Sequence, residues 1–251
     1  MSGIESFKRA LDEKRAVKII AGIDNFDAEC VKKVVKTASC AGASAVDICA
    51  NPDIVSAVRS IAELPLFVSS TSPEELARAA ALGADAIELG NFDTLYKKGK
   101  SFSASQVLNL ARRTIELAGE DIFFCVTIPG GLEISEQIEL AHRLETMGVD
   151  LIQTEGHFEN DAPSNGVRGL IERAELTISN TIELTRNIEI PVMTATGINP
   201  TTAPLAFAAG ASAIGCGSCI NRLESEISML AVAKKLVEIA ENNAQYTVEL
   251  V

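Results

Sequence analysis

A chain of 251 residues with 47% hydrophobic and 22% charged residues holds enough apolar material for one sizeable core, which excludes bulk disorder. Its 34 acidic against 22 basic residues give a net charge of −12, which argues against an extended nucleic-acid binder or an anionic-membrane surface. With no Trp and 4% aromatic residues, stacking platforms are disfavoured as well, so the expected partner is a small molecule, not nucleic acid and not membrane.

The opening segment MSGIESFKRALDEKRAV is charged throughout, and no later segment approaches a membrane span, so a cytoplasmic protein is expected. Short β-rich runs then alternate with helical patterns. Eight strands are predicted, at 17–21, 45–49, 66–70, 86–89, 123–128, 151–155, 192–196 and 213–216. Helix starts carry their own chemistry. Ser72-Pro73-Glu74-Glu75 and Ser103-Ala104-Ser105-Gln106 fit capping boxes, while Asn51-Pro52 and Asn199-Pro200 place a cap residue before a first-turn proline. The Gly of Ala-Gly-Ala-Ser (41–44), Leu-Gly-Ala-Asp (82–85), Met-Gly-Val-Asp (147–150) and Ala-Gly-Ala-Ser (209–212) precedes each even-numbered strand, as a left-handed stop for the helix before it. Eight βα units with alternating lead-ins predict an α/β protein, a (β/α)8 TIM barrel formed as one domain over residues 1–251, rather than an open sheet.

Side chains alternate between the faces of a strand, so aligning the even strands on that Gly sorts inside from outside. The mostly apolar column Val46, Ile48, Ile87, Leu89, Ile152, Thr154, Ile214 and Cys216 must face the helices. Asp47, Glu88, Gln153 and Gly215 then face the axis, with Glu155 and Gly217 nearer the mouth. The first strand adds an inward Lys18, which needs a counter-charge that Asp47 or Glu88 supplies. Lys18, Asp47, Glu88, Gln153, Glu155 and His157, just past the sixth strand, are the candidate catalytic residues. The bland alternative is that Lys18 snorkels to the opposite end of the barrel.

The loops after strands seven and eight, TATGIN and GCGSCI, are small-residue turns that expose backbone N–H groups. In many barrels these loops and a short extra helix hold a phosphate, which makes Thr196, Gly197, Ile198, Gly217 and Ser218 the candidate phosphate-binding residues. Asp24 is a further mouth carboxylate. The loop 157–170 has lid length and carries Arg168, and Lys97-Lys98-Gly99-Lys100 either steers an anion or is solvated surface. The six cysteines read as reduced, buried thiols. The lone pair Cys216-x-x-Cys219 has no second pair, which argues against zinc and against a redox dithiol. No metal site is expected.

The pairing of ATGI (195–198) with AAGASAIGCGS (208–218), together with SPEELARAAALGADAIELG (72–90), resembles phosphate-binding barrels such as thiazole synthase and the sugar-phosphate epimerases. The whole chain, through VKIIAGIDNFD, VDICANP, ELGNFD, TIPG and QTEG, resembles the hypothetical reading-frame family of cyanobacteria and algal plastids, a TIM-barrel family of unknown function. That resemblance implies a cytoplasmic or stromal setting and supplies no catalytic residues. Three readings follow. The first is an isomerase, epimerase, synthase or lyase acting by acid/base chemistry on a phosphorylated metabolite without a cofactor, with a Schiff base at Lys18 as a sub-case. The second is an FMN-binding oxidoreductase, and the third a non-catalytic metabolite-binding protein. The oligomeric state is left open.

Overall fold

The computed structural model describes residues 3–96, 99–156 and 164–249. Its elements run α1 (Gly3–Asp12), β1 (Ala16–Ile20), α2 (Ala28–Ala41), β2 (Ala45–Cys49), α3 (Pro52–Arg59), β3 (Leu66–Ser70), α4 (Pro73–Ala81), β4 (Ala86–Leu89), α5 (Asp93–Tyr96), α6 (Ala104–Ala118) and β5 (Phe123–Ile128), followed by α7 (Ile134–Thr146), β6 (Leu151–Thr154), α8 (Gly166–Asn187), β7 (Val192–Thr194), α9 (Ala203–Ala208), β8 (Ala213–Cys216), α10 (Ser218–Asn221) and α11 (Glu226–Glu249). The strands pair in parallel, each with the next and β8 with β1, so the sheet closes into a (β/α)8 barrel.

The local signals do much of this work. Asn51 caps α3 by accepting from the N–H groups of Asp53 and Ile54 at 3.0 and 3.2 Å, and Ser103 and Gln106 form a reciprocal capping box on α6. Gly42, Gly83, Gly148 and Gly210 all have positive φ, as the repeated lead-in requires. Two expected caps differ. Ser72 accepts from Glu75 N, but the Glu75 carboxylate takes the Ser70 hydroxyl instead of reaching back to the Ser72 amide. Asn199 does not start a helix, because its side chain accepts from Thr201 N at 2.9 Å, a tight turn that delays α9 to Ala203.

Three strand ends also differ from the predicted runs, each by the chain turning early. β1 ends at Ile20, one residue before Ala21, and β6 stops at Thr154, short of Glu155. β7 stops at Thr194 because Thr196 and Gly197 both have positive φ, at 67° and 76°. Side chains alternate as expected. Val17, Ile19, Val46, Ile48, Ile214 and Cys216 pack outward against α2, α3 and α11, while Ile87, Leu89, Val126 and Ile152 pack against α6 and α7.

Inside, the N-terminal end of the bore is stoppered. Helix α1 lays Phe7 against Phe67 and Phe123, with ring centroids 4.9 and 5.8 Å apart in edge-on geometry, in one cluster with a floor of Ala16, Ala45, Ala86, Leu151, Met193 and Ala213. This apolar floor supports a polar layer one residue pair higher.

Candidate functional site

Four strands deliver the predicted inward residues to one place. Lys18, Asp47, Glu88 and Gln153 are all fully buried. The Lys18 ammonium forms an ion pair with Glu88 Oε2, reaching from β1 across the bore to β4. Glu88 Oε1 accepts from Gln153 Nε2 at 2.7 Å and from Thr127 Oγ1 at 3.4 Å, and Gln153 Nε2 also reaches Thr127 Oγ1 at 3.0 Å. Asp47 Oδ1 accepts from the Ser69 hydroxyl. Lys18 therefore does not snorkel. Its Nζ lies 5.1 Å from the centre of the Phe67 ring, with the aromatic floor beneath it.

The electrostatics follow from burial against pairing. Burial alone would push the Lys18 ammonium down, but the Glu88 and Asp47 charges outweigh it, so the group is held above its ordinary value of 10.5 and stays protonated. Burial drives Asp47 the other way. Lys18 and the Ser69 hydroxyl pull it down and Glu88 pushes it up, and it settles at about 7, against an ordinary value of 3.8. Asn91 tempers that rise without closing a hydrogen bond on Asp47 Oδ2.

Three atoms in this layer are buried without a hydrogen-bond partner: Asp47 Oδ2, Asn91 Nδ2 and Gln153 Oε1. Buried polar atoms in folded proteins are nearly always paired, so three orphans gathered on one axis make this layer the candidate site. Asn91 stands directly beyond β4 with φ 61°, and Gln153 Nε2 lies 3.4 Å from its Oδ1. The left-handed backbone is one that Asn tolerates better than most residues.

At the mouth, Glu155 is held on both oxygens. Oε1 accepts from the Tyr96 hydroxyl and from Gly130 N at 3.4 Å, and Oε2 accepts from Asp93 N at 3.1 Å. Burial, and then the Asp93 charge, push Glu155 well above the usual carboxylate range. The geometry makes it the fastener of α5 to the barrel rim. Asp93 in turn accepts from Thr196 Oγ1 at 3.3 Å, linking α5 to the loop after β7.

In the two phosphate-type loops, the amide N–H groups of Thr196, Gly197, Ile198, Gly217 and Ser218 make no hydrogen bond to another described residue. Thr196 is β-branched at positive φ, a strained conformation that the surrounding structure must impose. Gly197 is there for space. A Cβ on it would stand 2.4 Å from the Arg173 carbonyl oxygen of α8, and its φ is 76°. A Gly197→Ala change is therefore expected to cost about 2 kcal/mol or more of stability, measured by urea unfolding, whereas a cost near zero would mean the loop is not pressed against α8.

Other expected residues are placed elsewhere. His157 lies outside the described residues, as do Lys97, Lys98 and the tip of the long loop. Arg168 does not reach toward an anion, since α8 already starts at Gly166 and the guanidinium pairs with Glu172 at 2.7 Å. Asp24 is exposed. All six cysteines are free thiols, but only Cys49, Cys125 and Cys216 are buried, and Cys40, on the outer face of α2, is exposed. Among the described residues no cluster of His, Cys, Asp and Glu is arranged to hold a metal, and no helix is long and apolar enough to cross a membrane. Ser69, Thr127 and Asn91 were missed by the sequence reading. The alternation already applied to the even strands would have found the first two on β3 and β5.

Comparison with known proteins places this geometry in context. A solved structure of (S)-3-O-geranylgeranylglyceryl phosphate synthase from Thermoplasma acidophilum, in complex with substrate sn-glycerol-1-phosphate, has a similar fold with a TM-score of 0.64. It covers 96% of this chain and 99% of that one at 16% identity, a likeness of fold. In sequence, the uncharacterized protein ycf23 of Cyanophora paradoxa is 37% identical over 232 residues, covering 90% of this chain and 93% of that protein. That of Pyropia yezoensis is 36% identical over 231 residues, covering 92% and 84%. Residues 2–246 match the family described as protein of unknown function DUF561, and the chain belongs to that family.

Proposed function

We propose that this barrel binds a phosphorylated small metabolite, with the phosphate on the amides of Thr196, Gly197, Ile198, Gly217 and Ser218 and the carbon chain directed down the axis, and that Asp47 exchanges a proton with it. The observation that carries this reading is the alignment of unpartnered donors in the last two loops with orphaned Asp47, Asn91 and Gln153 atoms below them. Backbone amides accept an anion without needing basic side chains, so the acidic composition does not oppose it. The similar fold solved with sn-glycerol-1-phosphate supports the ligand class.

Roles then divide by geometry. Asp47, with one free oxygen and a pKa of about 7, is suited to both accepting and donating a proton near neutrality. Lys18 and Glu88 set the field around it. A protonated Lys18 locked on Glu88 is a poor nucleophile, which speaks against a Schiff base. Gln153 orients ligand through Oε1, and Glu155 shapes the rim.

Thermal unfolding with added inorganic phosphate tests the cradle. Phosphate at about a hundred times its Kd is expected to add about 2.7 kcal/mol of apparent stability, with chloride at equal ionic strength adding none. Ser218 is exposed, so Ser218→Asp keeps the fold while setting a negative charge at the cradle, and it is expected to abolish that gain. Equal protection of both proteins, or of neither, would overturn the assignment.

A further inference from the structure

The three orphaned atoms differ in kind, and the difference specifies a ligand. Asn91 Nδ2 is a donor, Gln153 Oε1 is an acceptor, and Asp47 Oδ2 is a carboxyl oxygen free to take or give a proton. A carbonyl oxygen satisfies the first, the hydroxyl on the neighbouring carbon satisfies the second, and the hydrogen on that hydroxyl-bearing carbon faces the third. Together they complement an α-hydroxycarbonyl group and the enediol derived from it.

The count of free oxygens separates two reactions that both pass through an enediol. Glu88 has both oxygens engaged, by Lys18 on one side and by Gln153 and Thr127 on the other. Glu155 likewise has both engaged. Among the described residues, Asp47 Oδ2 is the one buried carboxylate oxygen at the axis without a partner. Inverting a carbon centre calls for a base on one face and an acid on the other, whereas moving a proton between neighbouring carbons on one face needs a single group.

The reach from this layer to the mouth limits the chain length. Gly215 contributes no side chain to the axis, and Gln153 Oε1 stands 3.4 Å from where its Cβ would be. Gly217, at the cradle, is two residues farther along, about 7 Å of strand rise, a gap spanned by a phosphoester and a chain of about four to six carbons.

Building on the phosphate-binding reading above, we infer that the protein is a one-base aldose–ketose isomerase acting on a phosphorylated hydroxyaldehyde or hydroxyketone of that length. The Asp47 carboxylate removes the hydrogen from the hydroxyl-bearing carbon as a proton. The C–H electron pair becomes the new carbon–carbon double bond, and the carbonyl π pair moves onto oxygen, where Asn91 Nδ2 donates to it. That oxygen gains a proton as the neighbouring hydroxyl, held on Gln153 Oε1, loses one. Asp47 then returns its proton to the former carbonyl carbon on the same face, where the carbon–carbon π pair takes it up while a lone pair of the deprotonated oxygen closes the new carbonyl. Nothing is oxidised or reduced in net, and no atom is gained.

Proton NMR in D2O on the full chain, with erythrose 4-phosphate, ribose 5-phosphate and glucose 6-phosphate as probes, is the test. At least one probe is expected to form its ketose with deuterium entering from solvent, at a rate slowed 100-fold or more in Asp47→Asn and by a smaller factor in Asn91→Ala. Each variant's melting point and protection by inorganic phosphate show whether it still folds and binds. If no probe reacts while phosphate still protects the wild type, the isomerase inference is overturned and the cradle stands. Lack of both reaction and protection overturns both. An epimerised product, or an Asp47→Asn variant as fast as the wild type, overturns the one-base assignment.

Discussion

Replacing Lys18 by Met is expected to cost about 3–5 kcal/mol of stability, because it strands the Glu88 carboxylate, and the Asp47 carboxyl beside it, inside the bore without their counter-charge. Met fills most of the space of the Lys stem, so the loss reads electrostatics rather than a cavity. The companion variant separates the two causes. Lys18→Met combined with Glu88→Gln removes both members of the pair while the amide oxygen keeps an acceptor for Gln153 Nε2, and most of the loss is expected to return. Urea unfolding of the four proteins in the cycle measures the coupling. A single Lys18→Met variant within about 1 kcal/mol of the wild type would mean that the pair is not buried as described.

The second large effect concerns Asp47 and pH. Its pKa in the folded protein is about 7, against an ordinary value of 3.8, so between those limits the native state holds a proton that the unfolded state has released. Stability therefore falls as pH rises through that window. The cost is absent below about pH 4, where both states are protonated, and complete above pH 7. The groups that face Asp47 are Lys18, Glu88, Ser69 and Asn91, of which Lys18 stays charged throughout, being held above 10.5. An Asp47→Asn variant has no proton to release there. It is expected to match the wild type near pH 4 and exceed it at pH 8 by on the order of 2–4 kcal/mol, the equivalent of a shift of about three pH units less some loss of fit. Parallel curves for the two proteins from pH 4 to pH 8 would show that Asp47 does not titrate in this range. A polar centre that destabilises the fold at working pH is typical of sites kept for function.

Much of the fold was legible because it repeats. The glycine that ends each helix before an even strand set the register, and period-two alternation then assigned Asp47, Glu88 and Gln153 to the axis with no knowledge of the tertiary structure. Lys18 was reached by the same route on the first strand. The limits lay where a side chain's partner is distant in sequence. That Glu155 is engaged by Tyr96, Asp93 and Gly130 depends on how α5 folds over the rim, which no local pattern carries. Asn91 escaped notice because its significance lies in a left-handed backbone and an unpartnered amide, neither of which leaves a compositional trace. Strand ends were read two residues long at Thr196, because Ala195 and the β-branched Thr196 continue past the point where the backbone turns, and one residue long at Glu155.

The aromatic stopper beneath the Lys18 and Glu88 pair makes the bore a blind shaft. With that end closed, ligand, water and exchanging protons must approach the polar layer from the rim. Departure of one guest must then precede arrival of the next, and a molecule that fills the opening also shuts off solvent from whatever lies at the bottom. A further slowing of hydrogen exchange at the Lys18, Asp47 and Gln153 backbone amides when the rim is occupied, beyond what their strand pairing already gives, is the physical signature of such a dead end.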